Sequence, residues 1–236
     1  MHRHDFAMSH PLDNPVWQSL ASHHALLASR TANAARYPAQ VAPFVAVDIA
    51  GEAAATQVAT LVDVGESVLF VGPAPLLSSA WKAEPAVAIA QMTCAVRLSA
   101  GEGPPIVELS QAGVADMLAL TALVYPHYFR PRTIEMGRYF GIYDGTTLAA
   151  MAGERMRFDG HYEISAVCTH PDYGGRGYAR QLMAMLTNDI LDSGCVPFLH
   201  VSHQNVRAKA LYEQIGYRFR ADIALTAVRR IADDAH

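Results

Sequence analysis

The sequence predicts an α/β (α+β) fold in which an antiparallel meander feeds a strand–loop–helix–strand–helix run. Two hairpin signals and one glycine-rich junction carry this reading. Asp144-Gly145 and Asp159-Gly160 each sit between apolar, β-prone runs, the pattern that closes tight hairpins through positive φ. They delimit strands at Tyr139 to Tyr143, Thr147 to Phe158 and His161 to Thr169. The third strand enters His170-Pro171-Asp172-Tyr173-Gly174-Gly175-Arg176-Gly177-Tyr178-Ala179-Arg180. After it, Ala179, Leu182, Met183, Leu186 and Ile190 recur at helical spacing and form one apolar face.

Next come a strand, Val196 to Val201, and a helix starting near Asn205 with Ala208, Leu211, Tyr212 and Ile215 on one side. Gly216 stands where a left-handed stop is favoured. Tyr217 to Phe219 and Ile223 to Val228 read as a closing pair of strands.

Upstream, Asn14-Pro15 reads as a helix start, with Trp17, Leu20, His24 and Leu27 at helical spacing. Pro43 to Ile49 and Ser67 to Val71 read as strands around a helix from Ala53 to Val62. The longest apolar run, Pro85 to Val96, is broken by Gln91 and Thr93 and reads as a core strand or strand pair. Ser99-Ala100-Gly101-Glu102-Gly103-Pro104-Pro105 has linker composition. The expected organisation is a flexible terminus over 1–13, an accessory α/β domain over 14–100 and a C-terminal domain over 106–236. In the last, Val107 to Leu109 is a strand and Ser110 caps a helix to about Val124. Between Pro126 and Pro131, His127, Tyr128, Phe129 and Arg130 form an aromatic, basic loop, either a substrate wall or a core-packed segment.

Of the 236 residues, 51% are hydrophobic and 17% charged, so the chain can bury a substantial core and is not a disordered one. A net charge of −4 without a Lys/Arg run argues against nucleic acid or an anionic membrane as partner. Three separated cysteines without a CxxC pair suggest neither a disulfide framework nor a metal knuckle and fit a reducing, cytoplasmic setting. No secretory signal is read at the N-terminus, and no run reaches the ~20 apolar residues of a membrane span. No metal is expected.

Glycines at a strand-to-helix junction let backbone N–H groups converge on an anion where the helix dipole favours negative charge. A dinucleotide fingerprint does not fit, because Arg180 stands where the third glycine belongs. The order of elements, with Asn205-x-x-Ala208-x-x-Leu211-Tyr212 after the next strand, resembles the GCN5-related N-acetyltransferase (GNAT) superfamily, its FR47-like branch in particular, over about residues 106–230. The family loop pattern Gln/Arg-x-x-Gly-x-Gly/Ala falls on Gly174 to Ala179, and only Gly174 departs from it. Val167-Cys168-Thr169-His170-Pro171 before the loop, and Asn205 with Tyr212 after it, make the match specific.

The resemblance implies a mixed, mostly antiparallel sheet with a central splayed parallel pair, Glu163 to Thr169 beside Val196 to Val201. It implies an N-terminal half that walls the acceptor pocket or repeats the fold in degenerate form. It implies acetyl-CoA as acyl donor and direct transfer to the amine of a small molecule or amino acid, by a monomer or homodimer. Val167, Cys168 and Thr169 would align the pantetheine arm through their backbone. Gly174, Gly175, Arg176, Gly177, Tyr178, Ala179 and Arg180 would hold the pyrophosphate, and Asn205 is an N-cap, a cofactor contact or both. Tyr212 would be the general acid or a core tyrosine. Glu163 and Glu154 are the candidates for general base, with His161 and His200 as substitutes. Cys168 reads better as a packing residue than as a nucleophile. Arg130, Arg132, Arg138, Arg155 and Arg157 cluster around the presumed acceptor side, where one could hold a carboxylate. The rival reading is a non-catalytic acyl-CoA-binding or protein-interaction module of the same fold.

Overall fold

The computed structural model describes residues 10–126 and 129–232. The first nine residues of the expected flexible terminus, and His127 and Tyr128 of the aromatic loop, lie outside the described residues. A nine-stranded sheet dominates, beside a three-stranded sheet of β1 (Ser29–Arg30), β2 (Ala34–Arg36) and β3 (Val45–Val47). The large sheet contains β4 (Ser67–Val71), β5 (Trp81–Ala83), β6 (Val87–Thr93), β7 (Val107–Leu109), β8 (Tyr139–Asp144), β9 (Thr147–Phe158), β10 (His161–Thr169), β11 (Val196–Ser202) and β12 (Arg218–Arg230). Its order is β4-β12-β6-β11-β10-β9-β8-β7, with β5 added alongside β12. Among the described residues the α-helices are α1 (Pro15–Ala21), α2 (Glu52–Leu61), α3 (Val114–Val124), α4 (Tyr178–Asp192) and α5 (Val206–Ile215).

All pairings in the sheet are antiparallel except β10 with β11. The two expected hairpins form, with Gly145 and Gly160 both at positive φ at their tips. On α4, Leu182, Met183, Leu186 and Ile190 are fully buried, and the helix packs against β9, β10 and β11. Apolar spacing at i, i+1, i+4 and i+8 is what sets that face.

The 101–105 stretch does not divide two separate sheets. β6 lies between β11 and β12, and β12 also pairs with β4, so strands from before and after the stretch interleave. Ile89, Ala90, Gln91 and Met92 are all buried, as a central strand covered on both faces requires. One core cluster joins Leu12, Tyr37 and Phe44 to Met156, Phe158 and Phe198 across the expected boundary. The stretch itself rests on α4, where the Gln181 amide donates to the Pro104 carbonyl at 2.8 Å.

Other expectations need correction in detail. Residues 10–13 are not loose: Pro11–Asp13 form a 3₁₀ turn whose Leu12 is buried. The first helix stops at Ala21, and Asn14 uses its side chain on the Val47 carbonyl instead of as an N-cap. His24 lies beyond it, buried against Ser19 and Tyr37. Ser110 makes no side-chain cap and precedes a 3₁₀ turn. The closing strands are one strand, β12, with an irregularity between Phe219 and Ala221 that keeps both halves paired to β6.

Interleaving has a direct consequence. A fragment of residues 106–236 lacks β4, β5 and β6 and would expose the facing edges of β11 and β12. The expected result is no cooperative thermal unfolding transition by circular dichroism for the fragment and one transition for the full chain. A fragment that unfolds cooperatively on its own would contradict this reading.

Candidate functional site

The parallel register of β10 with β11 runs only over His161↔Val196, Tyr162↔Pro197 and Glu163↔Phe198. Beyond Glu163 the two strands part. β10 also carries one extra residue between Ser165 and Cys168 relative to β9, and within that bulge Ala166 has φ 53°. A non-glycine residue held at positive φ costs on the order of 1–3 kcal/mol and persists only where neighbours impose it. The bulge redirects 165–168 toward the gap, and Ser165, Ala166, Val167 and Cys168 all line a cavity of 330 Å³ there. Across the gap stand His200, Val201, Ser202 and Asn205, with Tyr212 behind them. The N-terminal half supplies the opposite wall, including Phe44, Leu69, Val71 and Ile89.

At one end of the fork lies the glycine junction. Gly175 and Gly177 adopt φ 79° and 81°, and a Cβ on either would point into open space. Gly177 starts α4 in the left-handed region with no side-chain cap, so the first N–H groups of this 15-residue helix are offered outward. Gly174 differs: its φ of −58° and ψ of 145° suit any residue, so backbone geometry does not require glycine there. The Arg207 guanidinium lies 3.8 Å from where a Gly174 Cβ would be. Arg176 and Arg180 line a second cavity of 250 Å³ beside Gly177, with Ser99 to Glu102 opposite. Arg176 stacks over the Tyr173 ring at 4.7 Å.

Of the residues expected to form the cofactor site, Val167 and Cys168 on β10 and Asn205 before α5 line the first cavity, Arg176, Gly177 and Arg180 line the second, and Thr169, Gly174, Gly175, Tyr178 and Ala179 line neither. Asn205 caps α5, its Oδ1 accepting from the Ala208 N–H at 3.1 Å, and it also faces the cavity. Tyr212 is buried on α5, 6.1 Å from the Tyr217 ring, with its side of the helix against the cavity. Burial pushes the Cys168 thiol up to about 12, so it stays protonated at neutral pH and is a poor nucleophile.

Both carboxylates expected as bases are committed elsewhere. Glu154 is buried, and its Oε1 accepts from Arg138 at 2.6 and 3.2 Å; it does not line the cavity. Glu163 is fully buried and accepts from the Arg155 guanidinium at 2.6 and 2.7 Å and from His200 Nδ1 at 2.7 Å. Burial alone would raise its pKa, but the charge and hydrogen bonds of Arg155, with His200, outweigh burial and hold it down to about 2. A carboxylate so strongly stabilised in its ionised form is a weak base. His161, at the start of β10, stacks on Phe158 and does not reach the cavity lining.

His200 faces the cavity but its ring nitrogens are engaged. Arg220 donates to Gln91 Oε1 at 2.8 Å, and Gln91 Nε2 donates to the Leu12 carbonyl at 2.8 Å, which fixes the orientation of the amide. Gln91 Nε2 also lies 3.0 Å from His200 Nε2, so that nitrogen accepts and the proton sits on Nδ1, donated to Glu163. A chain Arg155–Glu163–His200–Gln91–Arg220 thus crosses five adjacent strands, and Arg220 ends it on Asp13 at 2.7 Å. Sequence reasoning missed Gln91, although its interruption of an apolar run was the available signal.

Glu163→Gln leaves the largely enclosed Arg155 guanidinium beside a neutral partner and is expected to cost about 3–5 kcal/mol in urea unfolding at pH 7. Because the folded pKa is depressed from 4.5 to about 2, the stabilisation by Glu163 is present above pH 4.5 and is lost as pH falls toward 2. Wild type and variant should therefore converge across that window; a gap independent of pH would contradict the assignment.

Among the described residues, no helix is long and apolar enough to cross a membrane. The FR47-like protein family model matches residues 139–225. Comparison with curated protein sequences gave no significant match. A solved structure from Novosphingobium aromaticivorans, assigned to the GNAT family of acetyltransferases, is 32% identical over 94% of this chain and 99% of its own, with a TM-score of 0.85. Similar folds at lower identity occur in a GCN5-related N-acetyltransferase from Kribbella flavida (13% identity, 92% and 95% coverage, TM-score 0.57). The same holds for a GCN5-related N-acetyltransferase-like protein from Streptococcus suis (14%, 91% and 92%, 0.55). Forked sheet, glycine junction and near full-length likeness agree: the chain belongs to the GCN5-related N-acetyltransferase (GNAT) family.

Proposed function

We propose that the protein is an acyl-CoA-dependent N-acyltransferase, using acetyl-CoA to acylate the amine of a small molecule. The single observation that carries this reading is the fork between β10 and β11, which a cavity fills and from which β10 runs on into an uncapped helix start with positive-φ glycines. The residues present fit acetyl-CoA: outward N–H groups and three arginines suit a pyrophosphate, and the parted edge of β10 suits an extended amide-bearing arm. Gly174, Gly175, Arg176, Gly177, Tyr178, Ala179 and Arg180 would hold the phosphates, with Arg207 adding charge beside Gly174. Val167, Cys168 and Thr169 would pair with the arm, and Asn205 would fix its inner end.

Bound there, acetyl-CoA supplies an activated acyl carbonyl as a thioester. Transfer forms an N–C bond, breaks the C–S bond and leaves the amine's proton on the departing sulfur. The chain's contribution is chiefly orientation: well-positioned reactants can gain up to ~7–11 kcal/mol over a bimolecular encounter. Backbone N–H groups at the Ala166–Val167 bulge would stabilise negative charge on the carbonyl oxygen. Tyr212, buried and facing the cavity, would deliver the proton to the thiolate. A non-catalytic acyl-CoA-binding module remains the second reading because Glu154 and Glu163 are both held in ion pairs.

Calorimetry with acetyl-CoA tests cofactor binding; no heat of binding at millimolar ligand would refute both readings. Release of free thiol with an amine panel separates them, since a non-catalytic module releases none. Tyr212→Phe is expected to lower kcat by about 100-fold while leaving acetyl-CoA affinity within about twofold. Unchanged turnover would remove Tyr212 from the reaction.

A further inference from the structure

The cavity wall carries information about the acceptor. Opposite the fork it is built from Pro43, Phe44, Leu69, Val71 and Ile89, and Leu225 continues it. Among the described residues lining the cavity, none is Asp or Glu. The one arginine there, Arg155, is neutralised by Glu163 and lies over the Phe44 ring at 5.0 Å. The other arginines suggested for carboxylate recognition are outside this lining and engaged: Arg130 with the Ala39 carbonyl, Arg132 with Glu135 at 2.5 Å, Arg138 with Glu154 at 2.6 Å and Arg157 over Tyr162 at 4.2 Å.

An acceptor carboxylate entering this cavity would lose its hydration without gaining an unpaired cation. An ammonium would meet no carboxylate and would face Arg155. Both ionised forms are disfavoured, and desolvation promotes loss of the ammonium proton. Among the described residues, the other titratable groups facing the space are His200 on β11, Cys168 on β10, Tyr139 on β8, Tyr212 on α5 and Tyr125 after α3. His200 Nε2 is occupied by Gln91, and Cys168 keeps its proton to about 12. The volume of 330 Å³ lies near the bottom of the ~300–1,000 Å³ range of small-molecule sites and would be shared with the acyl end of the cofactor, which limits the acceptor to a compact body.

Building on the acyltransferase reading, we propose that the acceptor is a small primary amine with an apolar or aromatic body and no carboxylate, bound as the free base. Its ammonium form releases one proton to solvent on entry. The nitrogen lone pair then attacks the thioester carbonyl, the C–S bond breaks, and the remaining displaced N–H proton ends on sulfur. No protein carboxylate takes part.

The test uses the full chain, acetyl-CoA and thiol release with matched acceptors: phenethylamine against phenylalanine, and tyramine against tyrosine. The member without a carboxylate is expected to show about 100-fold higher kcat/KM in each pair. Across amines of differing basicity, kcat/KM should rise with pH to a plateau, and the apparent pKa should move with that of the acceptor. Equal or faster reaction of the amino acids, or one apparent pKa shared by all acceptors, would overturn the proposal. Leu225→Arg places an unpaired cation on the half-buried wall and should narrow the ratio at least about tenfold. An unchanged ratio in a folded variant that still binds acetyl-CoA would also overturn it. So would a preference for hexanoyl-CoA with no discrimination among acceptors, which would assign the wall to the acyl chain. Acetyl-CoA binding with no reaction of either acceptor class would instead sink the acyltransferase reading itself, and the acceptor assignment with it.

Discussion

Parting two strands inside a sheet leaves backbone donors and acceptors without ladder partners, and buried groups of that kind are tolerated only where the surroundings hold them in place. In this protein the point of parting is Glu163, the last residue of β10 paired with β11. A fully buried carboxylate there must be compensated, and Arg155 and His200 supply that from the strands on either side. The consequence propagates. His200 must carry its proton on Nδ1, Gln91 must present its amide nitrogen to it, and Arg220 must satisfy the other end of Gln91. A fork thus acquires a rigid polar base, from which an apolar cavity opens in one direction.

That chain also explains why the N-terminal half is inseparable from the site. Gln91 lies on β6, inserted between β11 and β12, and both Gln91 and Arg220 tie down the turn at Pro11–Asp13. The strand that stabilises the fork thereby comes from the same segment as the wall that closes the cavity. Phe44 is held on that wall by the Arg155 guanidinium that neutralises Glu163. One ion pair therefore serves the sheet and sets the electrostatics of the pocket.

What the sequence revealed was local. Hairpin glycines and the helical face of α4 are decided within a few residues and are legible from spacing and residue type, and the cap that Asn205 forms on α5 is one of the two roles open to it in the sequence. What it concealed was non-local. A Ser/Gly/Pro stretch at 99–105 has the composition of a linker whether it joins two domains or, as here, two parts of one sheet. Glu163, between Tyr162 and Ile164, and Glu154, between Gly153 and Arg155, read like ordinary strand carboxylates, and only the folded chain brings Arg155 onto Glu163 and Arg138 onto Glu154. Gln91 was visible as a flaw in an apolar run, but its partners lie 79, 109 and 129 positions away. Arg220, at the irregular point of β12, made one strand read as two.

In the proposed function, the parted edges of β10 and β11, together with the loop into α4, form one acyl-CoA site built on a rigid polar base. Amide hydrogen exchange with and without acetyl-CoA addresses it directly. Protection is expected to rise in segments 164–169 and 175–180 on ligand addition, while amides around Glu154 and Gln91 stay unchanged. Protection confined to other segments, or spread evenly over the chain, would contradict it.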